Sequence, residues 1–267
     1  MVRRRQVNGP EPVEPPAGER EHALMQRLLD TWGVFLPGLC SAPVGDLHLF
    51  GAPAPRDWHT VWEQLRDVHG ETGLWPFVSP LRPAEFALHA GERAVASPLA
   101  PAQMIAQLRA ATREDWLREA KWGNWSAVVP RLEPAPFTGS KFLESELNPT
   151  AWLLLLPAAA GGTDLPLPLR APYANNWCGD ASHPWLTSAD HAAVWTSWRD
   201  RFGAEVLHLD HSSVEFVVHR PPITPAEISE VTEEQWAYCP DLGQVFGDPE
   251  WVARKQVPAR RWYFWWD

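Results

Sequence analysis

The sequence predicts an α+β fold, with helices packed on a mainly antiparallel sheet and an α/β extension on the N-terminal side. Three observations predict it. The chain ends in Arg260-Arg261-Trp262-Tyr263-Phe264-Trp265-Trp266-Asp267, with five consecutive aromatics. In a strand this run puts Trp262, Phe264 and Trp266 on one face and Tyr263 and Trp265 on the other, so the last stretch reads as a core strand covered on both sides. The second half orders its patterns as strand, helix, hairpin, helix, strand, the signature of helices on an antiparallel sheet. The first half repeats helix, glycine turn and short strand, an α/β arrangement.

The elements follow in chain order. Residues 1–20 combine Arg, Pro, Glu and Gly with little to bury and read as a disordered tail. Leu24, Leu28 and Trp32, with Met25 and Leu29 beside them, recur at helical spacing and stop near Gly33. Leu47 to Phe50 is a short strand. Trp58, Val61, Trp62, Leu65 and Val68 make the stripe of a helix that Asp57 is placed to cap. Leu74 to Val78 is a strand in which Pro76 has no N–H, which assigns it to an edge, a bulge or a strand start. A helix spans Pro101 to about Lys121, and the proline-punctuated stretch from Gly123 to Pro149 reads as a connector. The chain therefore divides into an N-terminal region over 21–148 and a C-terminal domain over 149–267.

In that second region Trp152 to Leu156 is a buried strand. Ser188 is placed to cap a helix with Trp195, Trp198 and Phe202 on its stripe, ended by Gly203. Val206–Leu209 and Val214–Val218 form a hairpin through Asp210-His211-Ser212-Ser213. Thr224-Pro225-Ala226-Glu227 is a capping box with proline at the first helical position. A short helix from Pro249 precedes the aromatic strand.

Composition narrows the function. A formal charge of −10 opposes a nucleic-acid partner, because phosphate neutralisation needs a basic face. The basic residues Arg254, Lys255, Arg260 and Arg261 beside the aromatics read instead as the entrance of a core strand. Three cysteines, Cys40, Cys178 and Cys239, make no disulfide framework and fit a cytoplasmic setting. No apolar run has the length of a membrane span and no secretory leader is read at the N-terminus. The 17 tryptophans imply a heavy aromatic core or an aromatic recognition surface.

The helix end Trp198-Arg199-Asp200-Arg201-Phe202-Gly203-Ala204, then Arg220-Pro221-Pro222, Tyr238-Cys239-Pro240-Asp241 and the terminal aromatics, in that order, resemble the family catalogued as domain of unknown function 4253. Asn176-Trp177-Cys178-Gly179 falls where that family carries a Trp and Gly element, and the resemblance covers Pro149 to Asp267. It implies a fold and no established activity. Cys178 and His211 depart from the pattern.

Candidate chemistry concentrates in the loop from Asn175 to Pro184. There Cys178, His183 and Asp180 have the residue types of a nucleophile, a base and an orienting acid. Cys178, His183, His191, His208, His211 and Cys239 offer metal-binding atoms, but no paired ligand spacing accompanies them, so no metal and no cofactor is expected. Asp241 reads as a cap of the next turn, with Gln244 one turn on. A glycine-rich phosphate loop and a nucleophile elbow are both absent from the sequence. The leading expectation is a non-enzymatic protein-binding module of antidote- or immunity-like character that uses Trp75, Asn176, Trp177, Asp241 and Gln244. The rival expectations are a cysteine-dependent hydrolase or transferase at 176–183 and a ligand-sensing regulatory domain.

Overall fold

The computed structural model describes residues 17–90, 99–111, 151–173 and 186–266. Its helices are α1 (Ala17–Thr31), α2 (Trp58–Asp67), α3 (His69–Thr72), α4 (Pro83–Ala90), α5 (Pro101–Ala111), α6 (Pro166–Leu169), α7 (Ser188–Phe202), α8 (Pro225–Tyr238), α9 (Leu242–Phe246) and α10 (Pro249–Trp251). The strands are β1 (Cys40–Val44), β2 (Leu47–Pro53), β3 (Leu74–Ser79), β4 (Trp152–Pro157), β5 (Ala204–Leu209), β6 (Ser213–Val218) and β7 (Arg261–Trp265). The fold is α+β, as the sequence predicts. Most of the expected tail and the connector fall outside the described residues, and α1 starts inside the span assigned to the tail.

The seven strands form one sheet in the order β1-β2-β4-β3-β5-β6-β7. Every neighbouring pair is antiparallel except β3 with β5. Both halves of the sequence therefore build a single sheet. β4, read as the opening strand of the C-terminal domain, lies between β2 and β3 of the first half.

Two expectations about strands change. β7 is an edge strand, not one covered on both faces: Trp262, Phe264 and Trp266 are fully buried, while Tyr263 and Trp265 are half-buried. The edge is partly covered: Tyr263 N–H donates to Gln256 Oε1 at 3.3 Å and the Cys239 thiol donates to Trp265 O at 3.0 Å, so these two outward polar groups of the strand are occupied. Pro76, in turn, sits within an interior strand. The Trp62 indole N–H donates to Pro76 O at 2.9 Å, which satisfies that carbonyl where the ladder cannot run through a proline.

The helices start where side chains can absorb the orphan amides of the first turn. Thr224 and Glu227 form the expected reciprocal box at the head of α8. α7 has an equivalent box from Thr187 and Asp190, so the cap is Thr187 and Ser188 is the first helical residue. Asp57 holds the cap position of α2 without a side-chain bond to its amides.

α7 and α8 cover the aromatic face of β6 and β7. Trp198 stacks on Phe264 at 5.1 Å between centroids and meets Tyr238 and Trp262 edge-on at 5.0 and 5.4 Å. Above this cluster a buried carboxylate ties three helices together. Glu234 of α8 is fully buried; it accepts from Arg109 of α5 at 2.6 Å, from Arg201 of α7 at 2.7 Å and from the Trp198 indole at 3.2 Å. Arg109 and Arg201 also pair with Glu230. A buried charge is tolerated only when its lone pairs are met. Because either arginine alone still serves Glu234, Arg109→Met and Arg201→Met should each cost about 1–2 kcal/mol, and the double variant about 3–5 kcal/mol. Urea unfolding of the three variants measures this; losses that simply add would mean the carboxylate finds other partners.

Candidate functional site

A group of titratable side chains lies on the sheet face opposite the aromatic cluster, at the β5–β6 hairpin. A β-bulge between Val206 and His208 and the pleat beyond it bring His208, Glu215 and Tyr263 into register across β5, β6 and β7. His208 and Glu215 are fully buried, and Arg261 lies 3.3 Å from Glu215. Asp210 begins the turn. Its Oδ1 accepts from the amides of Ser212 and Ser213 at 2.8 and 2.7 Å, and its Oδ2 accepts from Ser213 Oγ at 2.9 Å. His208 Nε2 is 3.2 Å from Asp210 Oδ2 and 3.0 Å from Ser213 Oγ.

Serine, histidine and aspartate thus meet, but not in the order of a nucleophilic triad. In a triad the acid and the hydroxyl bond opposite nitrogens of the imidazole. Here both approach the same nitrogen, and Ser213 is 2% exposed. The arrangement is an Asp-centred clamp on a tight turn. Burial pushes the Asp210 carboxyl up, yet the hydrogen bond and electrostatic attraction of His208, with the Ser212 amide and the Ser213 side chain, leave it below its ordinary value. Burial first, and then the Asp210 charge, push the Tyr263 phenol up to about 12 against a hydrogen bond with Ser213.

A second buried group serves the core. Tyr238 Oη accepts from the Trp195 indole at 2.7 Å and lies 2.6 Å from His191 Nδ1, and burial raises its phenol well above the ordinary value. Burial likewise pushes the Cys239 thiol far up, and the thiol donates to Trp265 O. Among the described residues no group of three or more His, Cys, Asp or Glu is arranged to hold a metal ion.

The residues expected from sequence separate into three sets. Asn176, Trp177, Cys178, Asp180 and His183 lie outside the described residues. Tyr173, the last described residue before them, stacks on His211 at 5.3 Å and donates its N–H to His211 O at 2.6 Å. Trp75, expected as an exposed anchor, is 2% exposed inside β3 because its indole N–H reaches Val206 O at 2.9 Å. Asp241 and Gln244 do come together: Gln244 Nε2 donates to Asp241 Oδ1 at 3.0 Å at the start of α9. Asp241 occupies the cap position without bonding the helix amides, and Gln244 is exposed.

α9 and α10 carry a surface that the sequence reading passes over. Val245 and Trp251 are each 48% exposed, beside the exposed Gln244. Asp248 caps the turn that leads to Trp251, accepting its N–H at 3.2 Å, and Lys255 Nζ stands 5.8 Å from the Trp251 ring. From Val252 to Gln256 the chain widens into a π turn, with Val257 N–H donating to Val252 O at 3.0 Å. This places Gln256 inward, where its amide donates to Gln235 at 3.1 Å, and leaves Trp251 and Lys255 outside. The sequence marks the helix start at Pro249, but not the Asp248 cap or the single turn, too short to bury every large residue it carries.

Two measurements test this account. The Asp210 carboxyl is held below its unfolded value, so its contribution is complete above pH about 4 and is lost as pH falls through the folded value. Asp210→Asn should therefore flatten the acid side of a stability profile recorded by chemical denaturation between pH 2 and pH 6; an unchanged profile would mean that the clamp contributes nothing. Cys239 should stay unalkylated by iodoacetamide at neutral pH in the folded chain and react once the chain is unfolded in urea, as read by mass spectrometry.

Residues 166–267 match the family model described as Domain of unknown function (DUF4253). The match begins at Pro166 rather than at Pro149 and takes in α6 to β7, with the hairpin clamp, the aromatic cluster and the Trp251 surface. No curated protein matches the chain, and no solved structure does. Among the described residues no helix is long and apolar enough to cross a membrane.

Proposed function

We propose that this chain is a cytoplasmic, non-enzymatic protein-binding module of antidote-like character, and that its contact surface is centred on Trp251 with Val245 and Gln244. The observation that carries the reading is a tryptophan left half-exposed on a turn that is otherwise braced inward. Trp251 is 48% exposed, while its neighbours are tied down by the Asp248 cap, the Glu250–Arg254 pair at 2.8 Å and the inward Gln256. A large apolar ring on a rigid support loses little freedom on binding, which is the usual character of an interface anchor.

Two further points support the reading. The charge of −10 suits a neutral or basic partner, which it would steer towards the surface. The groups with chemical potential described above, Glu234, Asp210, Tyr238 and Cys239, are engaged in internal hydrogen bonds.

The test is photo-crosslinking from position 251 in cells of the source organism, with the full chain tagged for recovery, followed by affinity measurement on the captured protein. A single partner should crosslink, and Trp251→Ala with Val245→Asp should weaken its binding about thirtyfold or more, the loss typical of a hot-spot tryptophan. A partner bound equally well by the double variant would move the interface elsewhere, and a chain that crosslinks nothing would remove the proposal.

A further inference from the structure

The β3–β5 junction differs from every other junction of the sheet. β3 and β4 stay in register from Leu74 with Pro157 to Ser79 with Trp152, whereas β3 and β5 share a single registered pair, Val78 with His208. β5 is bulged between Val206 and His208 in its pairing with β6, and Pro76 on the β3 side has no N–H to give. The ladder bonds are replaced by two indoles. Trp62 Nε1 donates to Pro76 O and Trp75 Nε1 donates to Val206 O, each at 2.9 Å. The two rings meet edge-on at 6.3 Å.

The Trp75 ring also sits in a fitted socket. Gly162 has a left-handed φ of 66° and its missing side chain is what makes room: a Cβ there would lie 2.6 Å from Trp75 Cδ1 and 2.8 Å from its Nε1. Leu165, buried, forms the adjoining wall. Both residues precede the family match at 166 by a few positions, and β5, β6 and β7 all lie inside it. The line of weak pairing thus coincides with the boundary between the family module and the rest of the chain.

We infer that the β5 edge, with the Gly162 socket, is a docking surface for a strand that carries a tryptophan, and that this chain fills it from within by β3, with Trp75 as the latch. The half-sheet β1–β4, with α1 to α4, opens away from the β5–β7 half as one unit along this line. α5 stays with the second half, since Arg109 holds Glu234 and Glu230 of α8. The inference is independent of the Trp251 surface.

Hydrogen exchange of the full chain tests it, on the native protein at low denaturant and on two variants. In the native protein the amides of β1–β4 should converge on one opening event that leaves β6, β7 and α5 protected. Trp75→Phe keeps most of the ring but loses the N–H, and should speed exchange in β1–β4 about tenfold, the effect of one net hydrogen bond, while β6, β7 and α5 are unchanged. Gly162→Ala drives into the ring and should act on the same block in the same direction. The latch is overturned if all seven strands speed up together in the variants, if β1–β4 do not respond, or if the native protein opens β1–β4 and β5–β7 in one event.

Discussion

A buried tryptophan brings a large apolar area into the core together with one N–H that must be satisfied there, and this requirement runs through the architecture. Trp62 and Trp75 give theirs to strand carbonyls at the β3–β5 junction. Trp195 gives its own to the Tyr238 hydroxyl, Trp198 to the Glu234 carboxylate and Trp262 to Val257 O. Each such bond joins two elements, so the indoles act as crosslinks as well as filling. Trp198 shows the coupling most fully: its ring stacks on Phe264 of β7 while its N–H fixes the carboxylate that draws α5, α7 and α8 together. Trp236 and Trp266 depart from the pattern, with buried N–H groups that meet no acceptor among the described residues.

The same logic separates structural from functional polarity. The Ser213, His208 and Asp210 group has the composition of a catalytic set and the geometry of a turn clamp, because both acid and hydroxyl approach one ring nitrogen. The Asp210 carboxylate takes the two amides that a tight turn would otherwise leave unpaired. At the α9–α10 surface the balance is reversed: the polar groups are satisfied inward and an apolar ring is left outside. An exposed aromatic on a braced turn has no structural account among the described residues, which is why the functional reading rests there and not on the hairpin.

Much of the local structure was legible in residues. Thr224 and Glu227 announced the start of α8, Gly203 the end of α7, and the hairpin through Asp210 followed from its turn residues and flanking apolar runs. The expected family resemblance over the C-terminal half is matched from residue 166 onward. Less legible was the direction in which aromatic residues point. Trp75 in a strand and Trp251 in a one-turn helix carry the same side chain, yet the first is buried and the second half-exposed. What decides between them is the carbonyl of Val206 and the space above Gly162, both far along the chain from Trp75.

The sequence by itself determined the fold class, the order of the strands and longer helices of the second half, the capping box at Thr224 and the aromatic periodicity of the terminal strand, because these depend on neighbours within a few residues. Tertiary structure alone decided that β4 enters between β2 and β3, that β7 lies at an edge partly covered by Gln256 and Cys239, and that Pro76 sits inside the sheet. Alternation along a strand records which residues share a face, but not how many faces are covered or which strand lies alongside. Those depend on hydrogen bonds between residues distant in sequence, such as the indole of Trp62 that meets the carbonyl of Pro76.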